Sequence, residues 1–432
     1  MKYRTSTFRS FLIPLLVLAL LLSGCSKDKA EQPTAGSGFA SSVYINEFPS
    51  NRISSDGFDH AAFDAAMISA ALGTASVTGE NGQITVDTEN HVISPANLYF
   101  TTASLAYLTG STTRFQLLKV LGLSKINEAQ KNVETLWNSQ FYRTSDAVSL
   151  LGSALFINSS LKVPQDKLNE LSDQYYTASY AGRPGTSSFN ETYRSWLSSM
   201  SGGLLDEAIT EAELPGDLAV AAATTLFYKA FFSESFKTDS THRETFYTPT
   251  TDVTVYMMHR EDSFPYHQDV TFQAAGIPLM NGSTLWLLLP AEGQTPASLC
   301  SDPAVLAWMS DASNDEATLS LAVPRFDITQ QTDFIPCLKS AGVTEIFDAS
   351  KADFSGLSGE LSGCSVSQWD QTVRIQLFEG GIEAAAFGDT QATSSAASRD
   401  AIQFRLNKPF VFLLRDFDGT ILFVGTVNDP SK

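Results

Sequence analysis

The chain has 432 residues, a length that allows either two average domains or one large one. Hydrophobic residues make up 43% and charged residues 17%, which excludes a mainly disordered chain and indicates a sizeable core. The 28 basic and 47 acidic side chains give a net charge of −19, which argues against a nucleic-acid partner because phosphates would be repelled. Four cysteines without a C-x-x-C pair exclude a disulfide framework.

The N-terminus has the pattern of an export signal. Three basic residues precede an apolar run from Phe11 to Leu22, and Ser23, Gly24 and Cys25 follow it. A basic region, about a dozen apolar residues and a small-residue cleavage site are typical of a secretory signal, whereas a membrane-spanning helix needs about 20 residues. The string Leu22-Ser23-Gly24-Cys25 resembles a bacterial lipobox, which predicts lipidation of Cys25. An ordinary signal with an incidental cysteine is the alternative.

Processing at this point would divide the chain into three parts. Residues 1–24 are the predicted signal peptide, 25–41 a lipidated N-terminus with a polar tether, and 42–432 a single domain. Removal of the signal leaves 25 basic and 47 acidic side chains, a net charge of −22. We therefore expect an exported lipoprotein on a bacterial membrane, the outer membrane above all, facing the periplasm or the cell surface. More than one acyl chain would make this anchoring stable.

Apolar spacing predicts helices in the first part of the domain. Residues 58–72 place apolar side chains at helical intervals, and Gly73 follows as a stop signal. Residues 94–121 predict two helices that are separated at Gly110 and end at Gly122.

Later segments change to the two-residue period of strands. Residues 253–257 and 319–323 alternate, and 285–289 form a short apolar run. Residues 410–415 and 420–427 flank a short turn sequence and predict a hairpin. Helices early and strands late favour an α+β fold with one core around antiparallel sheet.

The common enzyme motifs are absent from the sequence. There is no G-x-S-x-G elbow, no H-E-x-x-H and no glycine-rich phosphate loop, and the five histidines are scattered. A Ser-His-Asp triad assembled from distant residues stays open as an alternative. We expect Cys300, Cys337 and Cys364 to be small buried apolar groups, and no metal site or cofactor is predicted.

The most informative segment runs from Glu379 to Asp400. Strand side chains alternate between two faces, so the segment divides into two sets. The small or uncharged set is Ile382, Ala384, Ala386, Gly388, Thr390, Ala392 and Ser394. The other set is Glu383, Ala385, Phe387, Asp389, Gln391 and Thr393. A central strand could bury the first set, yet the flanking glycine pair and Ser/Ala-rich stretch indicate an exposed loop. The segment is a candidate switch between the two states, and an ordinary surface loop is the alternative.

A series of short strings, in this order, resembles the serpin family of protease inhibitors. They include Ile93-Ser94-Pro95-Ala96-Asn97-Leu98, Phe227-Tyr228-Lys229, Leu289-Pro290-Ala291-Glu292, Val323-Pro324-Arg325-Phe326, Ala352-Asp353-Phe354-Ser355-Gly356, Glu379 to Ala386 and Asn407-Lys408-Pro409-Phe410. Each string is weak alone, but their common order along nearly the whole domain is specific.

This resemblance implies a fold and a function. The fold is α+β, with helices packed on a large mixed or antiparallel sheet, smaller sheets beside it and an exposed reactive loop at about 379–403. The loop is bait for a serine or cysteine protease, and after cleavage it inserts into the central sheet and traps the acyl-enzyme. The implied hinge is Glu379, Gly381, Ile382, Glu383, Ala384, Ala385 and Ala386. No catalytic residue, cofactor or metal is implied, and we expect a monomer whose partners are the target protease and, through the lipid, a membrane.

Counting along the family's hinge places the cleaved bond between Ser395 and Ala396. Small residues there suit elastase-like or subtilisin-like proteases with shallow pockets. The second choice is Arg399-Asp400, which would attract trypsin-like proteases.

The sequence departs from the family pattern at several positions. Ile382 stands where a small hydroxyl residue is usual, Gly380 where an acid is usual and Phe232 where a tryptophan is usual. The polar cluster that lets the family's sheet open would consist of Ser94, Asn97, Thr224 and Gln371. These changes keep hydrogen-bonding capacity or aromatic bulk, so we expect inhibition to be retained. A non-inhibitory binding or carrier lipoprotein is the first alternative, and a lipoprotein hydrolase is the second.

Overall fold

The computed structural model describes residues 59–73, 87–203, 205–357, 363–382 and 401–432, together with the backbone of three short strands before residue 87. The helices are α1 Ala61–Leu72, α2 Pro95–Leu108, α3 Ser111–Val120, α4 Ile126–Gln140, α5 Gln165–Tyr175, α6 Ser187–Met200, α7 Pro296–Ser301, α8 Pro303–Asp311 and α9 Ile335–Ser340. The strands are β1 Phe39–Ser41, β2 Val77–Thr78, β3 Ile84–Thr85, β4 His91–Ile93, β5 Tyr142–Arg143, β6 Ala147–Asn158, β7 Ala178–Gly182, β8 Val220–Phe231, β9 Thr241–Tyr247, β10 Asp252–Gln268, β11 Phe272–Pro278, β12 Thr284–Pro290, β13 Asp315–Pro324, β14 Phe326–Asp333, β15 Val366–Phe378, β16 Gly381–Ile382, β17 Ile402–Arg405, β18 Phe410–Arg415 and β19 Ile421–Val427.

The first of two large sheets, which we call sheet I, is centred on two long strands. Its order is β1-β7-β6-β8-β16-β15-β14, and β5 pairs with β6. Strands β8 and β15 run parallel to each other, while β8 is antiparallel to β6 and β15 is antiparallel to β14. The sheet is therefore mixed. The helices and the mixed sheet confirm the predicted α+β class.

The second sheet, sheet II, is built mainly from the later part of the chain. Its order is β17-β13-β10-β11-β12-β18-β19-β4, with β9 added beside β10. The predicted C-terminal hairpin is confirmed as β18 and β19. All seven residues of β19 are buried, because this strand lies between β18 and β4 and contacts α1 and α2.

The predicted helices are confirmed with small shifts at their ends. Helix α1 begins at Ala61, three residues later than the pattern predicted, and Gly73 is its C-cap. Gly110 separates α2 from α3, and a Cβ there would lie 2.2 Å from Ser355 Oγ, so that side chain would have to move. All of α2 except Tyr107 is buried, so this helix lies inside the domain beneath both sheets.

The core has two parts, whereas the sequence indicated one. The main cluster lies between the two sheets and the early helices. A smaller cluster packs under α6, where Phe156 contacts Tyr193 and Trp196 edge to face. The two parts arise because β6 and β8 alternate apolar side chains between both faces of sheet I, and each face is covered.

The predicted reactive loop begins and ends in strands. Gly381–Ile382 form β16 in sheet I, and Ile402–Arg405 form β17, which pairs in parallel with β13 in sheet II. The exposed-loop interpretation is therefore wrong for Gly381 and Ile382, because pairing with two long strands outweighs the local turn preference of the glycines. Phe39–Ser41, at the end of the predicted tether, pair with β7. Residues 1–38 lie outside the described residues.

Candidate hinge and sheet-opening site

The candidate functional site is the seam between β8 and β15, which β16 enters from one end. Gly381 pairs with Phe231 of β8 and Phe378 of β15, and Ile382 pairs with Ala230 and Leu377. The Ile382 side chain is only 1% exposed. The hinge thus already contributes two buried residues, Gly381 and Ile382, to sheet I.

Gly381 is required at its position by both conformation and space. Its φ of +145° lies in the region that residues with a side chain rarely adopt. A Cβ atom would lie 2.3 Å from the Ala230 carbonyl oxygen. Any larger residue would push β16 out of the seam or distort β8.

At the other end of the seam the two long strands join directly. Five ladder pairs connect them, from Gln371 opposite Thr224 to Val366 opposite Val220. Between this stretch and β16, no backbone pair joins β8 to β15 among the described residues. The strands therefore flank a gap that is closed at one end by β16 and at the other by their own hydrogen bonds.

The four predicted residues of the sheet-opening cluster meet where the strands join. The Gln371 amide group donates to the Ser94 carbonyl oxygen at 2.9 Å, and the Ser94 N–H donates to the Gln371 amide oxygen at 2.7 Å. Ser94 also caps α2, because its Oγ accepts from the Asn97 N–H at 3.4 Å. Thr224 lies beside Gln371 in the ladder. The cluster ties the start of α2 to the two central strands.

This cluster is buried and incompletely hydrogen-bonded. Ser94, Asn97, Thr224 and Gln371 are each at most 1% exposed. Both amide atoms of Asn97 and the Thr224 hydroxyl have no partner among the described residues. Buried polar groups without partners are costly, so these two side chains weaken the closed seam and are available to new partners if it opens.

Sequence reasoning missed two members of the same cluster, Thr101 and Ser153. Their hydroxyls lie 3.2 Å apart, and the Thr101 hydroxyl donates to the Asn97 carbonyl oxygen at 3.3 Å. Ser153 of β6 lies opposite Thr224 of β8. The available signal was the presence of Ser149 and Ser153 in the mainly apolar strand β6, because a polar side chain is expensive to bury unless it has partners.

Glu379 anchors the hinge just before β16. The Arg325 guanidinium makes an ion pair with its carboxylate, and the Thr241 hydroxyl donates to the same oxygen at 2.6 Å. Burial would raise the pKa of the Glu379 carboxyl, but hydrogen bonds from Arg325 and Thr241 outweigh burial and hold this pKa below its ordinary value. Phe232, at the position where the family usually has tryptophan, donates its N–H to the Gly380 carbonyl oxygen at 3.0 Å. The hinge is thus fixed from both sides.

Several predicted residues lie outside the described part of the chain. They are Glu383, Ala384, Ala385, Ala386, both candidate bonds (Ser395-Ala396 and Arg399-Asp400) and Cys25. Cys300, Cys337 and Cys364 are confirmed as buried thiols, and burial raises the pKa of Cys300 to about 12. Within the described ranges, no group of three or more His, Cys, Asp or Glu side chains could bind a metal ion, and no helix is long and apolar enough to cross a membrane.

Comparison with known proteins identifies the family and the fold. The plasma serine protease inhibitor of Homo sapiens is 26% identical over 347 residues, which cover 78% of this chain and 84% of that protein. Human thyroxine-binding globulin superposes with a TM-score of 0.76 at 20% identity, over 87% of this chain and 99% of that one. A thermophilic serpin in its native state, tengpin, also superposes with a TM-score of 0.76 at 19% identity, over 86% of this chain and 93% of that one. The family profile described as "Serpin (serine protease inhibitor)" matches residues 80–430, and the chain belongs to the serpin family.

Proposed function

We propose that this serpin is a suicide-substrate inhibitor of serine or cysteine proteases. The observation that carries the proposal is the position of β16, between the parallel strands β8 and β15, with the Ile382 side chain buried. The first residue of the small alternating set already occupies the seam, and it points toward the core.

The register of β16 supports further insertion of the same segment. Each added residue advances one step along both neighbours, so position 388 would lie level with Thr224 and Gln371, where the strands now join. The inward positions would be Ala384, Ala386 and Gly388, which need little space. Insertion beyond them requires separation of the five ladder pairs and of the polar cluster beside them.

The same register favours Ser395 as the residue before the cleaved bond. Position 392 would lie level with Val220 and position 393 with Val366, the far ends of both strands. The 14 residues from Ile382 to Ser395 would span about 46 Å at about 3.3 Å per residue, so Ser395 would reach just past the end of the sheet.

The chemistry in this proposal belongs to the attacking protease. Its nucleophile adds to the Ser395 carbonyl carbon, the bond to Ala396 breaks, and the amine leaves with a proton from the protease's general acid. The enzyme is then linked to Ser395 through an ester, or a thioester if it is a cysteine protease. Insertion of residues 383–395 before water attacks that link would carry the enzyme away from the hinge end and distort it.

Incubation with purified proteases and denaturing gel electrophoresis tests this function. We expect a covalent complex with an elastase-like or subtilisin-like protease, and the mass of the released C-terminal fragment identifies the cleaved bond. A fragment that begins at Asp400, formed with a trypsin-like protease, would move the bond to Arg399. Cleavage without a complex by all three protease classes would contradict the inhibitory mechanism.

Two neighbouring substitutions separate insertion from simple loop damage. Ala386→Glu places a charge on the inward face, where burial without a partner costs several kcal/mol, so the variant should be cleaved as a substrate. Ala385→Glu places the same charge on the outward face and should still form the complex. An unchanged stoichiometry of inhibition in Ala386→Glu would refute the insertion register. An equal increase of the stoichiometry in both variants would refute it as well.

A carrier function without inhibition is the second candidate. It is favoured by the bulky Ile382 at the hinge and by the structural likeness to thyroxine-binding globulin, a protein solved in complex with thyroxine. This candidate predicts that cleavage of the loop leaves the protease active. The gel experiment therefore distinguishes the two functions.

We further propose that the protein acts from a bacterial membrane surface, anchored by lipid on Cys25. The lipobox-like string and the polar residues after it support this location. A Cys25→Ser variant should leave the membrane fraction, and its retention there would contradict lipid anchoring.

A further inference from the structure

A cavity of about 690 Å³ lies beside the point where β16 enters the seam. It is lined by residues of β10, by the start of β14, by the last residues of β15, by Lys229 of β8 and by Pro430 and Ser431 after β19. The volume falls within the range of small-molecule sites in proteins, roughly 300–1,000 Å³. The cavity is thus large enough for a small organic molecule.

The walls of the cavity combine apolar and polar groups. Tyr256 is 53% exposed and Phe378 is half-buried, so these two aromatic side chains offer apolar surface to a ligand, whereas Val255, Phe326 and Leu377 are each at most 5% exposed and belong to the core behind it. Thr254 and Gln376 supply uncharged polar groups, so a ligand with an apolar body and one polar end would match the lining.

Two of the four charged side chains in the lining are carboxylates, and both are neutralised by arginines. The Arg374 guanidinium donates to Asp327 at 2.8 and 3.0 Å, and Arg325 pairs with Glu379. The Lys229 ammonium, by contrast, has no hydrogen bond or ion pair with any described residue. The uncompensated charge of the lining is therefore positive.

We propose that this cavity binds a small amphipathic monocarboxylate, such as an aromatic acid. Its carboxylate would pair with Lys229, and its apolar body would lie against the rings of Tyr256 and Phe378. A single negative charge is favoured because, among the described lining residues, Lys229 is the cation that no carboxylate neutralises.

Such a ligand would contact both strands that flank β16. Lys229 precedes Ala230, the partner of Ile382, and the residues Gln376 to Glu379 follow β15 to the hinge. Binding at this cavity would therefore stabilise the arrangement in which Ile382 occupies the seam. The binding proposal itself does not depend on protease inhibition.

The test compares two probes that differ in charge but hardly in shape. Naphthalene-2-carboxylate and the neutral naphthalene-2-carboxamide are titrated into the full chain and followed by calorimetry. We expect the carboxylate to bind at least about tenfold more tightly, a difference of about 1.4 kcal/mol. Equal affinity of the two probes, or binding of neither, would overturn the proposal.

Variants then locate the site. Lys229→Gln should remove the preference for the carboxylate, whereas Lys237→Gln, on an exposed lysine outside the cavity, should keep it. Thr254→Trp changes an exposed residue of the lining and should weaken the binding of both probes, because the larger side chain fills the cavity. This variant keeps the test decisive if Lys229→Gln does not fold. Unchanged binding of both probes in Thr254→Trp would place them elsewhere and refute the site.

Discussion

At the residue scale, the Glu379 carboxylate connects three separate parts of the chain. It binds Arg325 between β13 and β14 and Thr241 at the start of β9, and it stands two residues before β16. The Glu379 backbone carbonyl also accepts from the Phe236 N–H at 2.9 Å. One ionised side chain therefore fixes the position from which the hinge enters sheet I.

This contact predicts a pH-dependent contribution to stability. Because the folded state lowers the pKa of Glu379 below the ordinary value of 4.5, the contribution is present above that pH and is lost as the pH falls through the lower folded pKa. We expect Glu379→Gln to reduce the free energy of unfolding by about 2 kcal/mol at pH 7. The difference from the unaltered protein should shrink below about pH 4.

Urea unfolding at a series of pH values measures this difference. Glu292→Gln, at an exposed glutamate away from the hinge, is the matched control and should change stability little at any pH. A Glu379→Gln effect that stays constant down to pH 3 would show that the ionised carboxylate is not its source.

At the element scale, β16 is a strand of only two residues held by partners on both sides. Gly381→Ala is predicted to expel it, because the added Cβ meets the Ala230 carbonyl oxygen and φ is unfavourable. The expected loss is about 1–3 kcal/mol in the free energy of unfolding. Faster hydrogen exchange at the Ala230 and Phe378 amides should accompany it.

The control for this change is Gly216→Ala, where a Cβ would meet nothing within 4 Å. It should be neutral or slightly stabilising, because alanine reduces the entropy of the unfolded chain. Equal effects of the two substitutions would mean that the close contact at Gly381 does not hold β16 in place.

Elements with a strong internal pattern could be predicted from the sequence, and β16 could not. The apolar spacing of α1 and the hairpin β18–β19 are local signals, so their existence followed from the residues concerned. Gly381 and Ile382 have no local strand pattern. They form a strand because the edge of β8, about 150 residues earlier in the chain, is available for pairing. Two residues carry no local pattern from which such long-range pairing could be predicted.

The polar cluster shows the same limit within the site. Ser94, Asn97, Thr224 and Gln371 were found through the family resemblance, and the structure brings them together. Thr101 and Ser153 were missed because a hydroxyl in an apolar helix or strand gives no sign of its partner. The cavity beside Lys229 was equally hidden, since its walls come from β8, β10, β14 and β15.

At the scale of the whole molecule, sheet I is incomplete along its central seam. A full strand inserted between β8 and β15 would break the five backbone pairs that now join them. In exchange, a strand about a dozen residues long would form backbone hydrogen bonds along both of its edges. Cleavage within residues 383–400 is therefore predicted to raise the midpoint of thermal unfolding by about 10 °C or more. Calorimetry of the intact and cleaved forms measures this shift.

The Ala386→Glu variant provides the control for that measurement. Cleavage of this variant should raise its midpoint of thermal unfolding only slightly, because the charge opposes burial of the inserted strand. A cleaved unaltered protein that unfolds at the same temperature as the intact one would show that the seam does not accept the loop.

The position of β19 also bears on how the protein is made. This strand is nearly the last part of the chain, yet it lies within sheet II beside β4, which is formed more than 300 residues earlier. A growing polypeptide therefore lacks an interior strand of its core until residues 421–427 have been synthesised. Closure of sheet II around β4 must wait for these residues, although β4 itself leaves the ribosome long before them.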